Sequence, residues 1–272
     1  MRAMPDASPA TDLLRHAPGA APATTLTVLT GASRGLGAAM ARQLLRPGMT
    51  LLTLSRRPDP GLDAAARSAG CACSQWALDL AEPDAAVERL RAALLALAEA
   101  PPARLVLLHN AALLPEPADL QAQPDEELRA ALRLGLEAPL RLSAAALAAS
   151  AGWGAQRQLL FISSGLGRRA MAGSTAYCAV KAGLDHAARA LALEHAQDPS
   201  TRIVSLAPGV IATDMQRQLR GADPARFAAQ GRFDALHREG LLDTPEQAAA
   251  KVLAWLDRPD FGQNPVADVR DA

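Results

Sequence analysis

From residue 25 the chain alternates short runs of apolar and β-branched residues with longer stretches whose apolar positions recur every three or four residues. The short runs are "TLTVLT" at 25–30, "TLLTLS" at 50–55, "CSQWALDL" at 73–80, "RLVLLHN" at 104–110, "QLLFISS" at 158–164 and "RIVSLAPG" at 202–209, with a last one, "PVADV", at 265–269. Strands separated by helical stretches read as βαβ units, whose strands lie parallel and are covered on both faces. The pattern therefore predicts an α/β fold, a doubly wound parallel sheet of about seven strands with helices on both sides.

The helical stretches are equally regular. Val87, Leu90, Leu94 and Leu97 form an apolar stripe between Pro83 and Ala100, and Pro124 opens a long helix with Leu128, Leu132, Leu136 and Leu140 on one side. A further helix runs from about Ser174 to Gln197, and "TPEQAAAKVLAWL" begins another, with Thr244 as N-cap and Pro245 at its first position. Between Gly209 and Gly240 the pattern loosens, as suits a flap covering a substrate. No internal repeat or linker interrupts residues 25–272, which are expected to form a single domain. Residues 1–24, rich in Pro and Ala and carrying Asp6 and Asp12, read as a flexible arm without the apolar centre of a secretory signal.

Composition narrows the possibilities. An apolar fraction of 50% over 272 residues is ample for a large core, and a formal net charge of +0 removes the electrostatic case for nucleic acid or an anionic membrane. The longest apolar runs, such as "AALLALAEA", are too short to span a bilayer, so a soluble cytoplasmic protein is expected. Cys71, Cys73 and Cys178 are too few and wrongly spaced for a disulfide framework or a structural zinc site, and read as reduced thiols. No metal is expected.

The chemistry gathers at strand ends. Gly31, Gly35 and Gly37, in "TGASRGLG", stand where the first strand meets the first helix; without Cβ atoms the backbone there can turn tightly and approach a pyrophosphate facing the helix amides. The second strand ends in Ser55, Arg56 and Arg57, with Arg34 in the glycine loop, and no acid stands there to hold ribose hydroxyls. Basic residues suit a 2′-phosphate, which selects NADP over NAD. Asp79, after the third strand, either accepts a hydrogen bond from an adenine amino group or caps the next helix.

The chain has one tyrosine, Tyr177, and two lysines, of which Lys181 follows it by one helical turn on the same face. A free phenol has a pKa of about 10, and a neighbouring ammonium is expected to lower it into the range useful for acid–base work. Arginine, planar and bulky, is a poor substitute for a compact ammonium reaching ribose hydroxyls. Ser164, ending the fifth strand, is placed to hydrogen-bond a substrate carbonyl while Tyr177 gives it a proton.

Over residues 25–270 these motifs resemble the short-chain dehydrogenase/reductase family: "TGASRGLG" is similar to its TGxxxGxG loop, "HNAA" stands for NNAG, "YCAVK" for YxxxK, and "SLAPGVIATDM" resembles the segment beside the nicotinamide. The resemblance implies a Rossmann-type fold and hydride transfer, with Ser164, Tyr177 and Lys181 as substrate polariser, proton donor and ribose ligand. It also implies NADPH contacts from Gly31, Ser33, Arg34, Gly35, Leu36, Gly37, Ser55, Arg56, Asp79, Leu80, Asn110, Ala111, Tyr177, Lys181, Pro208, Gly209, Ile211 and Thr213. The C-terminal third is most similar to the sepiapterin and benzil reductase branch, implying a small ketone or α-dicarbonyl substrate. Asp268 then corresponds to the acid that holds the pterin ring, or is a surface aspartate of the last strand. Relatives that dimerise through the long helix and the tyrosine-bearing helix imply a homodimer or tetramer.

Two positions depart from that family. Gly135 stands where an asparagine usually helps a water relay protons to the lysine, although a glycine can leave a backbone carbonyl free for that water. Ala112 adds a methyl group where glycine is usual. The leading reading is an NADPH-dependent carbonyl reductase; an alcohol dehydrogenase working oxidatively, or a cofactor-binding protein without turnover, are the rivals.

Overall fold

A computed structural model of the chain describes residues 24–271, so that the expected arm, Thr24 apart, lies outside the described residues. Seven strands, β1 (Thr25–Thr30), β2 (Met49–Ser55), β3 (Ala72–Ala77), β4 (Arg104–His109), β5 (Gln156–Ile162), β6 (Thr201–Ala207) and β7 (Val266–Asp268), form one parallel sheet in the order β3-β2-β1-β4-β5-β6-β7. Every expected strand is present. Several end earlier than the apolar runs suggest, because Asp79, Leu80, Asn110, Ser163, Ser164, Pro208 and Gly209 have passed into the loops at the carboxyl ends.

Helices α1 (Gly35–Gln43), α2 (Leu62–Ser68), α3 (Asp84–Leu95), α4 (Asp125–Leu132), α5 (Ala138–Ala149), α6 (Thr175–Glu194), α7 (Asp214–Gly221), α8 (Gln230–Arg238) and α9 (Pro245–Leu256) follow in chain order. Because successive strand residues point to opposite faces, each strand supplies two cores. Leu105 and Leu107 of β4 join Trp76, Leu90, Leu142 and Leu184 beneath α3, α5 and α6. Val106 and Leu108 join Met40, Leu62, Val252 and Leu256 beneath α1, α2 and α9. This double burial is why the strands read as unbroken apolar runs.

The long helix after Pro124 is not continuous. Between α4 and α5 it widens into a π turn at Arg133–Glu137, and the Ala138 amide donates to the Arg133 carbonyl. Its buried face is lined by Ala131, Gly135, Ala138, Leu142 and Ala145, whereas Leu132 is exposed and Leu128, Leu136 and Leu140 are half-buried. The expected leucine stripe thus runs beside the core instead of into it, and α6 packs directly on the π turn at Gly135. A Cβ on Gly135 would lie 2.5 Å from Val180 Cγ1.

The excursion after β6 carries α7 and α8, and its two ends meet. Ile211 and Asp243 form a parallel bridge, with the Ala212 amide donating to the Asp243 carbonyl at 2.9 Å. Immediately after it α9 begins as expected: Thr244 Oγ1 accepts from the Gln247 amide at 3.2 Å and the Gln247 side chain accepts from the Thr244 amide at 2.9 Å, a reciprocal capping box behind Pro245. Among the described residues no helix is long and apolar enough to cross a membrane, and no group of His, Cys, Asp or Glu side chains is arranged to hold a metal ion.

Candidate active site

Strand order reverses between β1 and β4, and in open parallel sheets the crevice for a ligand opens at such a point, beyond the carboxyl ends of the strands. The glycine loop after β1 forms one wall. Gly31 has φ +72°, and a Cβ on it would come within 2.8 Å of Ala111 Cα; a Cβ on Gly37 would lie 2.0 Å from the Gly31 carbonyl oxygen and 2.6 Å from Asn110 Nδ2. These two glycines let the loop fold back on itself and against Asn110 and Ala111 at the end of β4, forming a tight backbone cradle at the start of α1. Gly35, at φ +55°, faces Thr213 of the flap, 3.4 Å from where its Cβ would stand.

Polar side chains lock that cradle. Asn110 Nδ2 donates to the carbonyls of Thr30 (3.1 Å) and Gly31 (3.0 Å), and Thr30 Oγ1 accepts from the amides of Asn110 and Ala111, both at 3.0 Å. Ser55 Oγ accepts from the Ala32 amide at 2.8 Å. Asn110 and Ser55, expected as cofactor contacts, are therefore first of all braces of the loop. Leu36 and Leu80 are buried, while Ser33, Arg34, Arg56, Arg57 and Asp79 are exposed around the crevice. Arg34 Nη1 pairs with Asp214 at 2.8 Å, at the first residue of α7. Asp79 does not cap α3, which starts behind Pro83; its carboxylate closes a local turn by accepting from the Ala81 amide at 2.9 Å. Pro208 is buried, Gly209 has φ +85°, and the Thr213 amide donates to the Ile211 carbonyl at 2.8 Å, so that this loop folds back over the end of β6.

The other wall carries the reactive side chains. Ser164 caps the short 3-10 turn Gly165–Gly167, its Oγ accepting from the Leu166 amide at 3.2 Å, which leaves the hydroxyl proton free to donate. Tyr177, in the first turn of α6, has the Ser164 side chain as its polar neighbour. Lys181, 2% exposed, lies with Nζ 5.4 Å from the centre of the Tyr177 ring and donates to the Ile162 carbonyl at 2.7 Å. The three expected catalytic side chains are thus brought together.

Their electrostatics depart from expectation in one respect. Burial pushes the Tyr177 phenol up to about 12, with the neighbouring Ser164 side chain acting against it. The ammonium does not offset that, because it is turned to the β5 carbonyl instead of the phenol oxygen. Burial also brings Lys181 down to about 8, opposed by Asp185. At neutral pH the tyrosine is a protonated acid beside a mostly protonated lysine.

The flap packs an apolar cluster against Tyr177. Leu114, Leu219, Ala222 and Phe227 are buried, with Met171, Met215, Phe233 and Tyr177 itself packed against them, and the Phe227 and Phe233 rings stack at 5.8 Å. Asp268 is no surface aspartate: it is 5% exposed, accepts from Arg270 Nε at 2.7 Å, and lies 3.9 Å from Arg168 Nη1. Its neighbour in this network, Asp185, was not singled out from sequence, although it stands one helical turn beyond Lys181 and the same spacing that joins Tyr177 to Lys181 points to it. Its carboxylate accepts from Ser163 Oγ (2.6 Å), Ser205 Oγ (2.7 Å) and Arg168 Nε (3.1 Å).

A doubly wound parallel sheet with a glycine cradle at its switch point, facing a Ser, Tyr and Lys set, defines a dinucleotide-dependent oxidoreductase. The family model "short chain dehydrogenase" matches residues 25–224, and the chain belongs to that family, whose members bind nicotinamide cofactors. It is 30% identical over 240 residues to the benzil reductase ((S)-benzoin forming) of Bacillus cereus, covering 88% of this chain and 96% of that one. It is 33% identical over 257 residues to the sepiapterin reductase of Meriones unguiculatus, covering 90% and 95%. Among solved structures, a short-chain dehydrogenase/reductase from Burkholderia vietnamiensis superposes with a TM-score of 0.63 at 32% identity, over 92% of this chain and 99% of that one.

Proposed function

We propose that this oxidoreductase uses NADPH to reduce a ketone or α-dicarbonyl to an alcohol in the cytoplasm. The observation that carries the reading is Tyr177 beside Ser164 and one helical turn from the buried Lys181, packed against the apolar residues of the flap. Reduction of a carbonyl consumes a proton at oxygen, and Tyr177 is the acid placed to supply it; Ser164, with its hydroxyl proton free, polarises the same oxygen. The bound nicotinamide supplies the hydride to the carbonyl carbon. Lys181 holds ribose hydroxyls. Gly31, Gly35 and Gly37 leave room for the pyrophosphate, with Ser33, Leu36 and the amides of α1 around it, and Asp79, Leu80, Asn110 and Ala111 along the adenosine half. Pro208, Gly209, Ile211 and Thr213 flank the nicotinamide.

Selection of NADPH is supported by Arg56 beside Ser55 and by Arg34, in the absence of any acid at the end of β2. Stacked Phe227 and Phe233, with Met171 and Met215, favour an apolar, aromatic carbonyl. A pterin is disfavoured, because the Asp268 carboxylate that would take its guanidine-like edge already carries Arg270 and faces Arg168. Association into a homodimer through α4, α5 and α6 accords with the exposure of Leu132 and Leu193 there.

One observation favours a second reading, cofactor binding without turnover. Val180 fills the space of any side chain at position 135, so the usual relay asparagine is replaced by packing. Consumption of NADPH with benzil, simple α-diketones and sepiapterin, measured beside Tyr177→Phe, separates the two. Turnover of an aromatic diketone that disappears in the variant is the expected result. Tight NADPH binding with no carbonyl reduced would overturn the reductase reading in favour of the second.

A further inference from the structure

Asp185 is a carboxylate almost sealed from solvent, 1% exposed, in the middle of α6. A buried charge is tolerated only where it is paired and hydrogen-bonded, and here both oxygens are occupied. Oδ1 accepts from Ser163 and Ser205, and Oδ2 from Arg168. The donors come from three other parts of the fold: the end of β5, β6, and the loop that follows Ser164.

The identity of Ser163 gives this arrangement its chemical meaning. The residue before it, Ile162, provides the carbonyl that receives the Lys181 ammonium at 2.7 Å, and the residue after it is Ser164. Pinning the Ser163 side chain therefore fixes the backbone on both sides of it. Arg168 extends the clasp: its Nη2 donates to the Ala267 carbonyl at 2.7 Å, and its Nη1 faces Asp268, which in turn holds Arg270. Gly167 allows this loop to lie directly on α6, since a Cβ there would come within 2.9 Å of the Lys181 carbonyl oxygen and 3.0 Å of Asp185 Oδ2. The C-terminal segment, the Ser164 loop and the lysine helix are joined through one carboxylate.

We infer that Asp185 is a positioning residue for the reaction: it places an anion one helical turn from Lys181, and through Ser163 it fixes the Ile162 carbonyl that aims that lysine and sets Ser164 beside Tyr177, with Arg168 tying the C-terminal segment into the same unit. The assignment rests on the reductase reading for its effect on rate, but its electrostatic half is separate from turnover. The titratable and charged groups around Lys181 are Tyr177 and Asp185 on α6, Arg168 on the loop after β5, and, beyond Arg168, Asp268 and Arg270 of the C-terminal segment; β6 contributes only the Ser205 hydroxyl. Removing the Asp185 charge withdraws the nearest anion from the ammonium, whereas removing the Arg168 charge withdraws a competing cation. The two changes are expected to move the lysine in opposite directions.

With only two lysines in the sequence, full-length protein labelled with 13C-lysine gives two Cε signals, assigned by Lys251→Arg. Asp185→Asn keeps an acceptor for the serines and removes the charge; it should lower the Lys181 titration midpoint by about one unit or more, and Arg168→Gln should raise it. In NADPH-dependent reduction of benzil, kcat should fall roughly ten-fold in Asp185→Asn, and the alkaline limb of the pH profile should move to lower pH, since the lysine loses its charge sooner. A merely structural role would depress the rate equally at every pH and leave the limb in place. An unmoved Lys181 midpoint in both variants overturns the inference. Should Asp185→Asn not fold, as shown by circular dichroism, the upward shift in Arg168→Gln decides alone. If the native protein reduces no carbonyl, the reductase reading fails, while the two titration shifts still accept or reject the electrostatic role of Asp185.

Discussion

Replacing Gly135 by alanine puts a methyl carbon 2.5 Å from Val180 Cγ1, with Val180 Cγ2 and Cβ at 3.4 and 3.6 Å. Val180 is 3% exposed on α6, so neither side chain nor helix has open space to retreat into. Forcing an extra carbon into such a contact costs about 1–3 kcal/mol. Against that, alanine in place of glycine within a helix gains about 1 kcal/mol by restricting the unfolded chain. The expected net loss is up to about 2 kcal/mol, or roughly 4–8 °C in Tm for a domain of this size. In a Val180→Ala background the obstructing carbon is gone, and the same Gly135→Ala change should stabilise by up to about 1 kcal/mol. Urea unfolding of the four proteins, followed by circular dichroism, completes a double-mutant cycle with an expected coupling of about 1–3 kcal/mol. A coupling below about 0.5 kcal/mol, with Gly135→Ala behaving alike in both backgrounds, would refute the packing account. One consequence concerns catalysis: Gly135→Asn alone reports a clash, and only the combination with Val180→Ala tests whether an asparagine restores proton relay.

Other expectations are as direct. Gly37→Ala drives a Cβ onto the Gly31 carbonyl oxygen at 2.0 Å, so NADPH binding followed by its fluorescence should be lost or fall by well over ten-fold, and unchanged affinity would show that the cradle lies elsewhere. His109, stacked on Phe161 and bonded to Ser143, is buried neutral, its pKa brought down to about 3 from 6.5. The unfolded chain binds that proton first, so stability present above pH 6.5 should be lost progressively as pH falls toward 3, and His109→Asn should flatten that slope in urea unfolding against pH. Thr244→Ala removes the side-chain acceptor of the capping box and should cost about 1 kcal/mol, lowering Tm by roughly 2–4 °C; no change in the melt would mean that the cap contributes nothing.

Much of this was legible because burial on both sheet faces writes strands as unbroken apolar runs, and because rare residues stand out. Tyr177, Lys181 and Ser164 could be read from helical spacing and a strand end, and they meet in space. The π turn was not legible: a change in hydrogen-bond register leaves no trace in apolar periodicity, and the leucines of the long helix pointed to the wrong face. Nor was the phenol's upward shift, which depends on the flap folding over Tyr177 and on the lysine turning to Ile162. For Asp268 the sequence left two alternatives, a pterin-holding acid or a surface aspartate, and its burial depends on packing at the end of the sheet and on Arg168, remote in sequence. Asp185 was readable and passed over, since an acid in an amphipathic helix usually faces water, and only the tertiary structure brings Ser163, Ser205 and Arg168 to it.

The bridge between Ile211 and Asp243 makes the flap a side loop with its exits clamped together, leaving the sheet indifferent to the length and content of residues 215–242. Closing a longer loop between fixed ends adds little, about 0.6 kcal/mol for each doubling of length. Substrate range can therefore diversify by exchanging this one segment while the cradle, the lysine helix and their folding stay constant. Grafting the stretch from a relative at the Ile211 and Asp243 junctions should carry specificity with it, which makes the clamp a natural seam for recombination as well as for engineering.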